Sequence, residues 1–208
     1  MRNSIPKIFP YLFLLPLLSC STAKYTYFFD TGKHLDFDSG KWILNRTESN
    51  SEIFDTELYT TSKNHFRKIL GDSLLEINQL RTDKLIPAKI GFGLTKEKLL
   101  DLGKSSNCDY LINVKGKIIN DGAGGISFAS NYPNSPYAAN EASVSIRIYD
   151  LNNGMLISSS QVHGKTADQG SIFEDGKNRP TLLQSSHTSM LAGAKKLIAK
   201  YRKNRLKQ

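Results

Sequence analysis

Cysteine is scarce in this 208-residue chain: Cys20 and Cys108 are the two it has. That excludes a disulfide-stapled scaffold, which needs several bridges to replace a hydrophobic core. Its four histidines, His34, His65, His163 and His187, are dispersed without the short spacing of a zinc site. No apolar run reaches the roughly 20 residues that a membrane-spanning helix needs. The strings GKS (103–105) and GKT (164–166) mimic a phosphate loop, but the glycine required five positions earlier is replaced by Lys98 and Ser159. DFDSG (36–40) puts Gly40 fifth after Asp36 rather than sixth, so it is not a calcium loop. Ser159 could pair with His163 or His187 as in a hydrolase, yet no nucleophile-elbow sequence surrounds it. Neither a cofactor nor a metal is expected, and the chain reads as a non-enzyme.

What the chain does have begins at its start. Arg2 and Lys7 precede IFPYLFLLPLL (8–18), an apolar segment of signal-peptide length. Leu17, Leu18 and Ser19 then lead directly into Cys20. This order resembles the bacterial lipobox: an aliphatic residue three before the cysteine, a small residue just before it, and a thiol that accepts a diacylglyceryl group. The expected organisation is a lipoprotein signal peptide over 1–19 and a lipidated N-terminus and tether over 20–40, fully extended to some 65 Å at about 3.3 Å per residue. A single domain would follow over 41–204 and a basic tail end over 205–208. Two or three acyl chains, at about 0.8 kcal/mol per buried methylene, anchor a protein firmly. In such lipoproteins an aspartate after the cysteine favours inner-membrane retention; Ser21 lacks that charge, so the outer membrane is expected. With Cys20 acylated, Cys108 has no partner and is expected as a small buried strand residue.

Charge is uneven. The chain carries 28 basic and 19 acidic residues. Residues 195–208 hold seven of the basic ones (Lys195, Lys196, Lys200, Arg202, Lys203, Arg205 and Lys207) and no acidic one. With Arg2 and Lys7 in the leader, the rest of the chain is balanced. An exported protein meets no nucleic acid, so the tail's admissible partners are anionic headgroups, acidic glycans or an acidic protein face. The plainer expectation is a helix that complements its own dipole with C-terminal lysines and then frays into solvent.

Periodicity supplies the elements. Tyr25, Tyr27 and Phe29 alternate, which allows a short added strand within the tether. KWILNR (41–46) reads as a strand. Ser62 is placed to cap a helix through Phe66, Ile69, Leu70, Leu74 and Ile77. Residues 85–94 read as loop. Thr95 caps a helix ending near Gly103, with Leu94 and Leu99 as its hydrophobic staple. A strand over 108–119 shows Tyr110, Ile112 and Val114 on one face and Leu111, Asn113 and Lys115 on the other. After a loop (120–141), a strand with Val144, Ile146 and Ile148 inward turns at Asn152–Gly154 into 155–164. A second loop (165–180) precedes a long helix with Leu183, Met190, Leu191, Ala194, Leu197, Ile198 and Tyr201 on one side. The expected fold is α/β (α+β): a single mixed sheet with a C-terminal antiparallel hairpin, helices packed on its face, and a long C-terminal helix. Antiparallel pairing of these strands would bring both long loops to one end.

LLDLGKSSNCDYLINVKGKI and VSIRIYDLNNGMLISSSQVHGK resemble the helix–strand segment and following hairpin of the curli-secretion lipoprotein and penicillin-binding-protein activator superfamily. The likeness spans about 41–204; Asn107 and Cys108 stand where those proteins usually have Gly-Ala. The loop 120–141 is too short for the pore-forming hairpins of the secretion members, and residues 20–40 lack the proline-rich tether of the activators. The resemblance therefore carries over one functional residue, Cys20.

The expectation is a non-catalytic, periplasm-facing envelope lipoprotein on the outer membrane. It would bind an envelope protein or cell-wall component through the shared loop end, with Phe128, Tyr132, Tyr137 and Phe173 as contact aromatics. The resemblance alone motivates an alternative, an oligomeric subunit of an outer-membrane secretion or assembly complex. A hydrolase is the third reading.

Overall fold

Trp42 shows how the core is organised. It is fully buried, stacks on Tyr110 with ring centroids 4.2 Å apart, packs against Phe37 at 5.1 Å, and donates its indole N–H to the Ser39 carbonyl at 3.0 Å. Its strand neighbour Ile43 is equally buried but belongs to a second apolar cluster. Successive side chains point to opposite faces of a sheet, so at β3 this sheet is covered on both.

The computed structural model describes residues 20–21, 23–121, 126–128, 139–167 and 180–206. In chain order the elements are β1 (Cys20–Ser21), β2 (Lys24–Thr31), β3 (Trp42–Leu44), α1 (Asp55–Leu70), β4 (Leu74–Glu76), α2 (Ile77–Asp83), α3 (Lys96–Ser106), β5 (Tyr110–Asp121), β6 (Ile126–Phe128), β7 (Ala139–Asp150), β8 (Met155–Ala167), β9 (Pro180–Leu183) and α4 (Ser186–Asn204). Among the described residues, six strands form a mixed sheet ordered β2-β8-β7-β5-β3-β4. Its β5-β3-β4 pairings are parallel and its β5-β7-β8-β2 pairings antiparallel. A small second sheet has the order β1-β9-β6.

Chain direction explains why both faces are covered. From β3 the chain steps outward to β4 through α1, then returns past β3 to β5 through α2 and α3. Parallel crossovers are right-handed as a rule, so an outward step and a return step need helices on opposite faces. One face buries Leu58, Phe66, Leu197, Ile198 and Tyr201 of α1 and α4 against Ile112, Val144 and Ile146. The other buries Ile77, Leu99, Leu102 and Cys108 against Ile43, Leu111 and Tyr149, with Leu94 packed beside them as expected of the staple. Buried amides and a hydroxyl fasten the 85–94 segment there: Asn45 Nδ2 donates to the Ile90 carbonyl at 2.8 Å, Asn113 Nδ2 to Gly91 at 2.9 Å, and the Tyr149 hydroxyl to Phe92 at 2.8 Å.

Several local expectations need correction. Ser62 is not a cap; it is buried inside α1, which starts seven residues earlier at Asp55 with Asp55 and Glu57 in its first turn. Gly71 (φ +55°) ends α1, so Leu74 lies in β4 and Ile77 opens α2. The helix after Thr95 continues past Gly103 to Ser106, because Asn107 (φ 53°) adopts the left-handed conformation that closes it. Leu183 is in β9, and α4 begins after Ser185, whose hydroxyl accepts from the Thr188 amide at 3.2 Å. The expected tether is the largest change. Lys24–Thr31 within it is an edge strand paired along β8, with Tyr25, Tyr27 and Phe29 packed on the core face. The alternation, not the lack of longer periodicity, was the informative signal.

The hairpin is as expected: Asp150 Oδ1 accepts from the Asn152 and Asn153 amides at 2.8 and 3.0 Å, and Gly154 takes φ +64°.

Candidate functional site

The register of the long strands puts the end of β5, the start of β7 and the end of β8 together, with Asp121 opposite Asn140 and Ala139 opposite Ala167. Both chain excursions between these strands therefore leave from one end of the sheet. β6, from the first excursion, pairs antiparallel with β9, from the second, and so ties them together. Onto the other edge of β9 comes β1 in parallel, with Cys20 opposite Leu182 and Ser21 opposite Leu183. Cys20, the cysteine of the lipobox-like pattern, thus has its backbone at this same end.

Gln184 fastens the arrangement. Its Oε1 accepts the Ala23 amide at 3.1 Å, its Nε2 donates to the Tyr25 hydroxyl at 3.4 Å, and its carbonyl accepts from Asn140 Nδ2 at 3.2 Å. Ala23 is buried. Tyr25 then lies over Gly164, where a Cβ would come within 2.8 Å of the ring, so the glycine admits the aromatic. Burial raises the Tyr25 hydroxyl's pKa. At this end Lys24 of β2 faces Lys165 of β8, and Lys165 pairs with Glu141 at 2.7 Å. That hydrogen bond holds the Glu141 carboxyl below the usual range.

The basic residues of α4 occupy its outer face. Lys195, Lys196, Lys200, Arg202 and Lys203 are exposed, as is Arg205 just beyond the helix. Two have defined packing: Lys196 Nζ lies 4.0 Å from the Tyr25 ring centroid, and Lys200 Nζ 4.8 Å from that of Tyr27. Such contacts contribute about 0.5–1 kcal/mol at exposed sites. Arg202 and Lys203 lie in the last turn, where they complement the dipole. The end of the helix is pinned, since His34 Nδ1 contacts the Asn204 carbonyl at 3.0 Å and the Leu206 amide donates to Leu35 at 2.9 Å.

Of the residues expected to act, Cys20 is placed by its backbone and Phe128 lies in β6; their side chains are outside the description. Tyr132, Tyr137, Phe173 and Lys207 lie outside the described residues altogether. The hydrolase residues are not brought together. The Ser159 hydroxyl donates to Asp30 at 3.0 Å, His163 Nε2 faces Glu141 at 3.4 Å, and His187 contacts Glu57 at 3.0 Å while stacking on Phe54. A cleft of about 400 Å³ beside β4 is lined by Lys41, Asp72, Ser73, Leu75, Lys84, Ser106 and Asn107, a set without histidine or cysteine. Cys108 is buried with its thiol pKa raised by desolvation. Missed from sequence were Gln184 and Ala23, whose roles depend on contacts 161 residues apart.

No protein-family model and no curated protein matches the chain. Solved structures similar to it include the PelC dodecamer from Paraburkholderia phytofirmans, at 15% identity over 86% of this chain and 94% of that one, with a TM-score of 0.44. Lipoprotein GNA1162 from Neisseria meningitidis is similar at 14% identity over 63% and 86%, with a TM-score of 0.37. The LpoB C-terminal domain from Salmonella enterica is similar at 16% identity over 64% and 85%, with a TM-score of 0.35.

Proposed function

We propose that the chain is a non-catalytic envelope lipoprotein, anchored by acyl chains on Cys20 to the outer membrane and facing the periplasm. Its role is to hold a binding surface for another envelope protein or a cell-wall component. The observation that supports this most is the coincidence of two independent features: the lipobox ends at Cys20, and the fold gives Cys20 and Ser21 their own strand pairing on β9. Ser159, His163 and His187 each contact a different partner, which supports a binding rather than a catalytic role. The excursions tied by β6 and β9 supply the partner surface.

The test is metabolic labelling with a palmitate analogue, followed by crosslinking in intact cells. Wild type is expected to take up label and fractionate with outer membranes, and Cys20→Ala to lose both. Crosslinked partners are expected to disappear when both excursions are shortened. Unlabelled wild type, or an unchanged set of partners, contradicts the proposal.

A further inference from the structure

Between the acylated residue and the folded sheet there is almost no slack. β2 is fixed along β8 from Lys24, Ala23 is buried with its amide bound to Gln184, and Cys20 is paired with Leu182. Even with β1 peeled from β9, the four steps from Lys24 back to Cys20 span at most about 14 Å. The 65 Å reach of an extended tether is absent.

We propose that the end of the sheet carrying Cys20 is a bilayer-docking surface. Acyl chains on Cys20 hold the rim built from β1, β9 and the start of β2 against the headgroups of the membrane they enter, so the domain stands on that bilayer instead of swinging above it, and the excursions tied to β9 by β6 meet their partner at that membrane surface. This rests on the acylation of Cys20 proposed above. The occupant follows from position and charge. Lys24 and Lys165 face each other on neighbouring strands, both exposed, with Glu141 paired to Lys165 and to His163 but not to Lys24. Like charges at facing positions repel, and anionic phospholipid headgroups at the rim relieve that repulsion.

The opposite pole is then fixed as well. β8 runs from Ala167 at the rim to Met155 beside the hairpin turn, a distance of about 40 Å at 3.3 Å per residue. α4 runs alongside β2, with Tyr25 near Ser189, Lys200 over Tyr27, and Leu206 bonded to Leu35. Lys200 therefore lies about 21 Å along the helix from Ser186. Exposed charges are screened over about 8 Å at physiological salt, so Arg202 and Lys203 in the last turn of α4 stand clear of the headgroups, whereas Lys196, over Tyr25, lies near the rim.

The test uses the full-length acylated protein in vesicles of phosphatidylethanolamine and phosphatidylglycerol with rhodamine-labelled headgroups. In a Cys108→Ala background, a donor dye is attached at Thr26→Cys, Met155→Cys or Lys203→Cys. Energy transfer is expected to be at least threefold stronger from position 26 than from 155, with 203 well below 26. Inserting twenty Gly/Ser residues after Ser21 is expected to abolish the difference. Equal transfer from 26 and 155 in the uninterrupted chain, or strongest transfer from 203, overturns the docking geometry while leaving acylation intact. A product shown by mass to lack acyl chains overturns the lipoprotein reading and this inference with it.

Discussion

Replacing Tyr201 by phenylalanine removes one oxygen from the joint between α4 and β8. Tyr201 has no solvent exposure; its hydroxyl lies 2.7 Å from both Ser158 Oγ and Ser160 Oγ, and its ring meets Phe29 and Phe37 edge-on at 5.4 and 6.1 Å. In Tyr201→Phe the ring contacts survive. Ser158 keeps its bond to the Gly32 carbonyl at 2.9 Å, while buried Ser160 loses the partner its hydroxyl has in Tyr201. Lost hydrogen bonds plus an unsatisfied buried hydroxyl cost about 1–3 kcal/mol. With a urea dependence of about 2 kcal/mol per molar, the unfolding midpoint should fall by roughly 1 M, and Tyr201→Ala, which also opens a cavity, should lose about 3–5 kcal/mol. A pH series adds a second signature. Burial raises the Tyr201 pKa in the folded state. Its protonated form therefore contributes fully below about pH 10, and that contribution is lost as pH rises toward the folded pKa, at up to about 1.4 kcal/mol per unit. Wild type should converge on Tyr201→Phe above pH 10. A midpoint shift below 0.3 M in the ~1 M scale above, or a gap that stays constant with pH, refutes the reasoning.

Gly116→Ala tests the crossing of α1 and α4 over β5: a Cβ there would stand 2.5 Å from Met190 Sδ and 2.9 Å from Leu58 Cδ2, so overpacking should cost about 1–3 kcal/mol in a thermal melt, and an unchanged melt counts against that packing. Cys108, buried with its thiol pKa raised by desolvation, should resist alkylation at pH 8 in the native protein and react once urea unfolds it; rapid native labelling would show the site is open. Lys196→Gln with Lys200→Gln removes both cation–ring contacts on the edge strand and should lower stability by about 1–2 kcal/mol while speeding amide exchange in β2. Exchange unaltered in β2 would separate those lysines from the strand.

Patterns confined to one element were legible in the sequence. Alternation in SVSIRIYD marked a strand, Asn152–Gly154 marked its turn, and the apolar positions of KKLIAKY marked the long helix, since each depends on neighbours a few residues away. The mixed sheet follows from their order. What depended on distant contacts was not legible. Leu111 shares its face of β5 with Asn113 and Lys115, a mixed pattern that does not reveal that α3 and the loop before it bury it. Ser62 had the chemistry of a cap, and tertiary packing carried α1 through it, because propensity yields when an apolar face is buried. The stretch after Cys20 mixes polar and aromatic residues without sustained periodicity, as a tether would, and the alternation of Tyr25, Tyr27 and Phe29 was its one sign of the sheet edge that α4 covers. At the proposed functional end, a pattern resembling the lipobox singled out Cys20, whereas the hydrogen bonds of Gln184 join residues far apart in the chain and left no local trace.

The most direct measurement is the mass of the protein purified from its native envelope. A chain that begins at Cys20 and carries a diacylglyceryl thioether with an acylated amino terminus is the expected product. A chain that retains Met1 with a free Cys20 thiol would contradict it, and the compartment, the anchor and the docking geometry would fall together.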